Sequence, residues 1–314
     1  MDFTIIIPTF NSEKYIFDCL RSIFEMHYSQ NQFEVIVVDG GSSDNTLEII
    51  SGFEKVKLVH SLNISISNSR NVGASQSTGE NLVFIDSDCI VDQYLLKKAK
   101  DYLQRYTCYG SFYKAYEKHG WIAKTWLIVE QKPDGNVKWI PSGTLAVSRK
   151  AFTDINGFNE ALQVEEDEDF CHRIRSKGGV IFNDSSIASI HLGQADTIKH
   201  FFQKEAWRGR SLVKPIKGYL DNKLSPFDIL IFFYLLLLVT FCVSLLIGKL
   251  WLTYSIIALL IIIPALLSVR ISLRTGHLER IAQIFFLHII FLVSRSWSVI
   301  KYNQYQQLFI KENS

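Results

Sequence analysis

The sequence predicts an α/β domain followed by a hairpin of transmembrane helices. Up to Leu224, short apolar runs alternate with segments of helical periodicity, which is typical of a mostly parallel sheet covered by helices on both faces. From Phe227 onward, long apolar stretches replace this alternation and most charged residues disappear. The two parts of the chain are therefore suited to two different solvents.

The composition restricts the class of protein. A length of 314 residues suits one large domain with an appendage. The formal net charge of +2 gives no indication of a nucleic-acid partner. The five cysteines lack C-x-x-C spacing, which argues against a disulfide framework and favours buried free thiols. Residues 1–11 lack the basic and long apolar segments of a signal peptide, so we expect the first domain to stay in the cytoplasm.

The first half of the α/β domain has the pattern of four strands that alternate with three helices. The predicted strands are Phe3–Pro8, Phe33–Val38, Val56–His60 and Leu82–Ile85. The predicted helices are Ser12–Met26, a short helix that contains Leu47 and Ile50, and Asn68–Ser77. We expect Ser42 or Ser43 to cap the second helix and Gly79 to end the third.

After Asp88 the pattern becomes less regular. The predicted elements are a helix at Gln93–Tyr106, irregular strands over 110–148 with a turn at 133–136, helices at Lys150–Ile155 and Asp167–Lys177, a strand at Val180–Phe182, and a basic, partly helical segment over 197–212. We therefore expect the second half of the domain to differ in architecture from the first.

Two long apolar stretches are predicted to cross a membrane. Phe227–Ile247 contains one charged residue, Asp228, and Leu250–Val269 contains none. Each is long enough for a hydrocarbon core of roughly 30 Å at about 1.5 Å per residue. Buried helices of a soluble core are the alternative, but two such stretches separated only by Gly248 and Lys249 favour a transmembrane hairpin.

A third apolar stretch, Ile281–Val293, is shorter, so residues 278–303 are predicted either as an interfacial amphipathic helix or as a third span. Basic residues lie outside both spans and only Lys249 lies between them, which places the first domain in the cytoplasm of a multi-pass inner-membrane protein. The predicted domains are 1–215 for the α/β domain, 216–226 for a juxtamembrane linker, 227–247 and 250–269 for the spans, and 278–303 for the last helix.

Carboxylates follow two of the predicted parallel strands. Asp39 follows the second strand, and Asp86 and Asp88 follow the fourth. Since open α/β sheets bind ligands at the carboxyl ends of their strands, Asp39 is a candidate to bind a nucleotide base or ribose. A turn-capping role before Gly40 is equally open. Two carboxylates spaced as D-x-D can hold Mg²⁺ or Mn²⁺ against a diphosphate.

Other polar groups have two interpretations each. The acidic run Glu165–Asp169 is either a solvated helix N-terminus, which the helix dipole favours, or the source of a general base whose pKa is raised by crowding. His191 is either an ordinary structural histidine or a third metal ligand. Arg208 and Arg210, beside Trp207, are candidates to bind a diphosphate or an anionic lipid.

Several short motifs, in order along the chain, resemble those of the family 2 glycosyltransferases. They are Ile5–Asn11, Val35–Thr46, Ser69–Gly73, Leu82–Asp88, and Gly157–Glu160 followed by Glu166–Asp169. The resemblance covers residues 3 to about 210 and implies a GT-A fold, the nucleotide-diphospho-sugar transferase fold with a mixed, mostly parallel sheet flanked by helices. It also implies a nucleotide-sugar donor, often a UDP-sugar.

The resemblance implies roles for individual residues. The nucleotide pocket would contain Pro8, Thr9, Asn11, Asp39, Arg70 and Asp86. The metal ligands would be Asp88, Asp86 and His191, and the diphosphate ligands would be Arg208 and Arg210. Asp167 would be the catalytic base, with Glu166 next to it. Two positions depart from the family pattern: Gly40 stands where an acid is common, and Cys89 stands where a further aspartate often follows.

These observations predict an inverting glycosyltransferase that uses Mg²⁺ or Mn²⁺ and transfers one sugar per reaction, because no Q-x-x-R-W box is present. The membrane hairpin favours contact with membrane lipid and a lipid-linked or cell-envelope glycan acceptor. A dinucleotide oxidoreductase is disfavoured, since Pro8–Asn11 occupies the place of a G-x-G-x-x-G motif. A non-catalytic membrane protein that retains a nucleotide-sugar pocket is the remaining alternative.

Overall fold

The computed structural model describes residues 1–61, 65–209 and 225–301. The chain forms two compact units, of which the first consists of Met1–Glu117 and Glu130–Gln194 and the second of Lys118–Val129 and Ala195–Ser314. This division differs from the predicted domains because an internal helix and the residues after Gln194 pack with the C-terminal helices.

An eight-stranded mixed sheet forms the centre of the first unit. Its strands are β1 (Phe3–Thr9), β2 (Phe33–Asp39), β3 (Val56–His60), β4 (Asn81–Ile85), β6 (Cys108–Gly110), β7 (Gly135–Val137), β8 (Thr144–Ser148) and β9 (Ile181–Asn183). They lie in the order β3-β2-β1-β4-β8-β6-β9-β7. The first four are mutually parallel, β8 is antiparallel to its neighbours β4 and β6, and β9 is parallel to β6 and antiparallel to β7. The predicted mixed, mostly parallel sheet is therefore confirmed.

A second, two-stranded sheet lies beside the end of β4. It pairs β5 (Cys89–Ile90) with β10 (Ile190–His191) in antiparallel orientation. In this register His191 is opposite Cys89. The short sheet therefore brings residues that are about a hundred positions apart in the chain to the same strand end.

Helices cover the main sheet on both faces. They are α1 (Ile16–Phe24), α2 (Thr46–Ser51), α3 (Ile66–Ser75), α4 (Leu95–Tyr102), α6 (Arg149–Asp154) and α7 (Glu166–Ser176). Successive residues of β1 enter different apolar cores: Ile5 and Ile7 belong to one cluster and Ile6 to the other. Burial on both faces explains why the strand is a continuous apolar run.

Two predicted helix boundaries are wrong. Helix α3 ends at Ser75 and is followed by Gln76, whereas Gly79 lies against the start of β1, where a Cβ atom would be 2.5 Å from the Thr4 nitrogen. Neither Ser42 nor Ser43 caps α2. The residue at that N-cap position is Asn45, and the Ser42 hydroxyl donates to Asp39 instead.

Other predicted elements are shorter or of a different type. The helix predicted at Gln93–Tyr106 is reduced to α4, and Gly135 begins β7 instead of lying within a turn. The segment predicted as irregular strands contains the ten-residue helix α5 (Trp121–Glu130). Its apolar side chains pack with the C-terminal helices, and this non-local burial decides its structure.

The second unit is helical. Besides α5 it contains α8 (Ile198–Arg208), α9 (Pro226–Leu246), α10 (Leu250–Thr275) and α11 (Ile281–Ile300). Among the residues that the structure describes, three segments of this unit are long and apolar enough to cross a membrane, as judged by length and composition: Pro226–Leu246, Leu250–Thr275 and Leu278–Ile300, with mean hydropathies of 2.9, 2.6 and 1.5. The third is longer than the apolar stretch recognised in the sequence, and it meets the length requirement of a span.

Local hydrogen bonds explain the ends and the interior of the first two long helices. Ser225 and Asp228 form a capping box at the start of α9. Within α10, Pro264 has no N–H to donate to the carbonyl four residues earlier, that of Leu260. The hydroxyl of Tyr234 on α9 donates to this carbonyl at 3.2 Å. The tyrosine thereby satisfies a backbone acceptor that the proline leaves without its helical partner.

Candidate active site

The candidate site begins where three parallel strands end together. Strands β2, β1 and β4 are neighbours, and their carboxyl ends place Asp39, Thr9 and Asp86 along one edge of the sheet. The carboxylate of Asp39 is fully buried and accepts hydrogen bonds from the Gly41 and Ser42 amides at 2.9 and 3.0 Å. Asp39 therefore orders the turn after β2, as one of the two interpretations of this residue predicts.

The end of β1 contains the other residues that the resemblance assigns to a nucleotide pocket. Pro8 is buried in the strand, and the Thr9 hydroxyl is buried without a hydrogen-bond partner among the residues that the structure describes. Asn11 has a positive φ of 46°, and its side-chain oxygen accepts from the Ser43 amide at 2.8 Å. The unpaired hydroxyl of Thr9 suits a polar ligand at this edge, since buried polar groups are normally paired.

The D-x-D carboxylates lie directly after β4. Ligand atoms of Asp86, Asp88 and Cys89 are within 4.8 Å of one another. The pairing of β5 with β10 brings Nδ1 of His191 to 3.4 Å from Oδ2 of Asp88. The structure therefore brings Asp86 and Asp88 together and places His191 against Asp88, whereas His191 is not among the ligand atoms that lie within 4.8 Å of one another in the described residues.

Two glycines lie against the carboxylates of Asp86 and Asp88. A Cβ atom on Gly143 would be 2.5 Å from Oδ2 of Asp86, and a Cβ atom on Gly193 would clash with Oδ2 of Asp88. The donor set fits a divalent cation, because carboxylate oxygens and an imidazole suit Mg²⁺ or Mn²⁺. Cys89 is fully buried, and its thiol is a poor ligand for such hard ions.

Arg70 joins the D-x-D motif to the acidic run. Its guanidinium is 1% exposed and donates to Oδ1 of Asp86 at 2.7 Å and to Oε1 of Glu166 at 2.8 Å. Burial alone would lower the pKa of Arg70, but the negative charges of both carboxylates outweigh it and raise the pKa. The guanidinium is therefore firmly charged, and its contacts differ from the base contact that the resemblance implies.

Asp167 lies in the first turn of α7, next to Glu166. Its Oδ1 accepts from the Glu168 amide at 2.8 Å. Burial, followed by the charge of Glu166, raises the pKa of Asp167 to about 8, although the positive charge of Arg70 opposes this rise. A carboxylate with a raised pKa is suited to accept a proton near neutral pH.

Tyr113 contacts both Asp86 and His191. Its hydroxyl lies 3.2 Å from Oδ2 of Asp86, and its ring packs edge-on against His191, with 4.7 Å between ring centroids. Burial raises the pKa of Tyr113 well above its usual value. The nearby negative charges of Asp86, Asp88 and Asp167 raise it further. Among these three carboxylates, that of Asp86 lies within hydrogen-bond distance of the tyrosine hydroxyl.

For the two predicted diphosphate ligands, Arg208 and Arg210, the role at the diphosphate stays a prediction. Arg208 lies in the second unit, where its Nη1 is 3.1 Å from the buried carboxylate of Glu205. Arg210 lies outside the described residues. Sequence reasoning also missed Tyr113, Gly143 and Gly193, because a lone tyrosine or glycine in an irregular segment carries no periodic or motif signal.

Comparison with known proteins places this geometry in a family. Residues 4–157 match the description "Glycosyl transferase family 2". The poly(ribitol-phosphate) beta-N-acetylglucosaminyltransferase TarS of Staphylococcus aureus is 35% identical over 111 residues, which are 34% of this chain and 19% of TarS. A Methanococcus voltae dolichyl N-acetyl-alpha-D-glucosaminyl phosphate 3-beta-D-2,3-diacetamido-2,3-dideoxy-beta-D-glucuronosyltransferase is 32% identical over 108 residues, covering 32% of this chain and 34% of the relative. The chain therefore spans 19% and 34% of the lengths of these two relatives.

Solved structures support the fold. Residues 1–349 of S. aureus TarS, in complex with UDP-GlcNAc, superimpose with a TM-score of 0.52 at 20% identity, covering 97% of this chain and 92% of that one. The mannosyltransferase PcManGT from Pyrobaculum calidifontis, in complex with GDP-Man and Mn²⁺, gives a TM-score of 0.62 at 17% identity and coverages of 96% and 86%. Residues 4–157 therefore form a family 2 glycosyltransferase domain, and the mixed sheet together with the solved structures shows that the chain has a GT-A fold.

Proposed function

We propose that this chain is an inverting glycosyltransferase that moves a sugar from a nucleotide-diphosphate donor to a hydroxyl acceptor. The observation that carries the proposal is that one buried arginine, Arg70, contacts both Asp86 and Glu166. Asp86 is the first carboxylate of the D-x-D motif, and Glu166 precedes the candidate base Asp167 in the chain. The site thus combines carboxylates suited to a cation with a carboxylate suited to take up a proton.

In the proposed reaction Asp167 accepts the proton of the acceptor hydroxyl as the oxygen attacks the anomeric carbon. The bond between this carbon and the diphosphate oxygen breaks, and the nucleoside diphosphate leaves with the electron pair. A divalent cation held by Asp86, Asp88 and His191 would stabilise the charge on that leaving group as a Lewis acid. Since the described site offers one base and no second positioned nucleophile, a single displacement with inversion follows.

Relatives support the choice of donor and ion. TarS is named as an N-acetylglucosaminyltransferase and its structure contains UDP-GlcNAc, while PcManGT contains GDP-Man and Mn²⁺. We therefore propose a UDP-sugar as donor and Mn²⁺ or Mg²⁺ as cofactor. At the strand ends, we propose that the unpaired hydroxyl of Thr9 and the ordered turn after Asp39 face the nucleotide.

The test is a donor screen with the Asp167→Asn variant as comparison. Wild-type protein is expected to release nucleoside diphosphate from one UDP-sugar in a cation-dependent way when an acceptor is present. Asp167→Asn is expected to bind the same donor in a calorimetric titration but to transfer it at least about 10²-fold more slowly, because a general base contributes about 10²–10⁴-fold. Near-normal turnover by the variant would refute the role of Asp167. Donor binding by wild-type protein without any turnover would favour the non-catalytic alternative.

We also propose that the second unit anchors the enzyme in the inner membrane with the first unit in the cytoplasm, and that the acceptor is a lipid-linked or cell-envelope glycan. Three apolar helices and the basic residues that flank them support this proposal. Protein reconstituted in liposomes should glycosylate a polyprenyl-phosphate-linked sugar much faster than the same sugar in free solution. Equal rates on both acceptors would contradict the lipid-linked assignment.

A further inference from the structure

Two consecutive residues of α3 contact both sides of the candidate site. Arg70 holds Asp86 and Glu166, as described above. The side-chain amide of Asn71 donates to the Phe158 carbonyl and accepts from the Phe158 amide, both at 2.9 Å. Asn71 thus pairs with the loop before α7 as a neighbouring strand would. One short stretch of helix thereby fixes the end of β4 and the approach to α7.

The approach to α7 needs such support because its backbone is strained. Asn156 and Glu165 have positive φ values of 59° and 62°, a region that side chains other than Asn and Asp rarely adopt. Gly157 also has a positive φ, and a Cβ atom there would be 2.5 Å from the side-chain oxygen of Asn71. Strained backbone persists only where its surroundings determine it strongly, and Asn71 is the side chain about which this loop is shaped.

The Arg70 contacts are rigid for a different reason. The guanidinium is planar, so two bonds to two carboxylates fix their relative positions more strictly than a flexible ammonium would. The group also lies over the Phe158 ring, with 5.2 Å to the ring centroid. Because the arginine is almost fully buried, neither Asp86 nor Glu166 can leave it without exposing an unpaired charge to the interior.

We propose that Arg70, supported by Asn71, is a positioning residue that holds the base Asp167 in register with the D-x-D carboxylates. Glu166 is then the anchor of the base, since Asp167 is the next residue of the same helical turn. The inference rests on the proposed sugar transfer, and it assigns Glu166 and Arg70 to each other and not to the acceptor or the nucleotide base.

The first experiment compares Arg70→Lys with Arg173→Lys. A lysine keeps the positive charge of Arg70 but cannot donate to both carboxylates in the fixed geometry of the planar guanidinium. We therefore expect kcat to fall about 10²-fold, while KM and the calorimetric Kd for the donor change by less than about threefold. Arg173 is a matched control: it bonds Asp169 and the carbonyls of Ile155 and Gly157, but has no recorded contact with Asp86 or Glu166 among the described residues. Its variant should keep kcat within about threefold.

The second experiment uses the pH dependence of kcat. The charged and titratable groups around Asp167 are Glu166, Glu168 and Cys171 on α7, Arg70 on α3, and Tyr113 after β6. Wild-type kcat should rise as the pH increases through about 8, because Asp167 must lose its proton to act as a base. We call this rise of kcat with pH the acid limb of the profile. Arg70→Gln removes a positive charge and should move the acid limb to higher pH, whereas Glu166→Gln removes a negative charge and should move it to lower pH.

Each result decides the inference. A rise in donor KM or Kd of about 10²-fold with unchanged kcat for Arg70→Lys would make Arg70 a nucleotide ligand and overturn the positioning role. Equal behaviour of the Arg70 and Arg173 variants, or a limb that stays in place in both charge variants, would also overturn it. Should the Arg70 variants fail to fold, Asn71→Ala must show the same fall in kcat at constant donor Kd. If wild-type protein transfers no sugar, the proposed function fails first, which the donor screen detects separately.

Discussion

The two compact units each contain a buried charge cluster, and the clusters have opposite compositions. In the first unit one arginine, Arg70, lies between two carboxylates. In the second unit one carboxylate, that of Glu205, lies between Arg208 at 3.1 Å and Arg295 at 2.9 Å. Both central residues are 1% exposed, so burial does not distinguish the clusters.

The difference lies in the charge that remains and in what surrounds it. The first cluster has a surplus negative charge at a strand end, close to Asp88 and to glycines that leave the carboxylates bare. The second has a surplus positive charge between α8 and α11, and it joins two helices. A buried ion pair by itself therefore does not identify an active site. The position at the carboxyl ends of parallel strands does so far better.

The largest effect that would test this comparison is expected at Asp88. Asp88→Asn removes a carboxylate from the proposed cation site, and we expect transfer to fall about 10²–10³-fold, as for the loss of one electrostatic contact to a leaving group. Nucleoside diphosphate release at increasing Mn²⁺ measures it. Asp154→Asn, which changes a surface ion pair with Lys150, is the control. A variant that retains full cation-dependent turnover would separate the D-x-D motif from the chemistry.

The next effect concerns stability in the second cluster. Burial alone raises the pKa of Glu205, but the charges of Arg208 and Arg295 outweigh it and leave the pKa lowered. The ionised Glu205 therefore stabilises the folded state fully above about pH 4.5, and this stabilisation is lost as the pH falls through the lowered pKa of Glu205 in the folded protein. Glu205→Gln leaves two arginines without their counter-charge and should cost about 3–5 kcal/mol of unfolding free energy.

Thermal unfolding in detergent, with the acid limb of kcat recorded alongside, tests the Glu205 prediction. The limb should stay at the wild-type pH, because Glu205 has no role in the proposed proton transfer. Glu279→Gln, in a solvent-exposed pair with His277, should leave the unfolding temperature unchanged. A Glu205 variant as stable as wild type would show that the second cluster does not hold α8 and α11 together.

A smaller effect, on metal binding, is expected at Gly193, which lies against the carboxylate of Asp88. Gly193→Ala places a methyl group against Oδ2 of Asp88 and should weaken Mn²⁺ binding about tenfold, as does the loss of a supporting contact at a metal site. Mn²⁺ titration followed by electron paramagnetic resonance measures this directly. Gly52→Ala, at the end of α2 and away from the carboxylates, is the control. Unchanged affinity would mean that Asp88 can move aside without loss.

The smallest effect belongs to a neutral contact in the helical unit. Tyr234→Phe leaves the Leu260 carbonyl without its donor beside Pro264 and should cost about 0.6 kcal/mol, the mean for hydrogen bonds between membrane helices. Tyr254→Phe on the exposed face of α10 is the control for thermal stability in bilayer nanodiscs. A loss as large as that of Glu205→Gln would contradict the view that the charged cluster dominates this unit.

Some elements could be predicted from the sequence because local pattern and tertiary environment agree in them. β3 begins and ends at the predicted residues, and β1 and β2 extend one residue beyond the predicted ends, Pro8 and Val38. The motif carboxylates were found for the same reason, since each follows such a strand. Helix α5 was missed because its apolar residues have no clear helical face, and its packing partners lie far away in the chain.

The errors at single residues have a common physical origin. Ser42 was expected to cap α2, but its hydroxyl is used by Asp39, and a polar side chain with two available partners cannot be assigned from spacing alone. Tyr113 and Gly193 contribute to the site through contacts with residues remote in sequence. The contacts of Arg70 with Asp86 and Glu166 likewise join residues that are 16 and 96 positions apart in the chain.

The membership of α5 in the helical unit has a consequence for biosynthesis. The hydroxyl of Thr125 bonds the side chain of Gln283 on α11, a residue 158 positions later in the chain. On the ribosome α5 therefore emerges long before its partner helix exists, and the apolar side chains of Ile122 and Trp126 must wait for it. Such distant pairing is slow to form, so α11 completes a helical unit whose first helix, α5, lies more than 150 residues earlier in the chain.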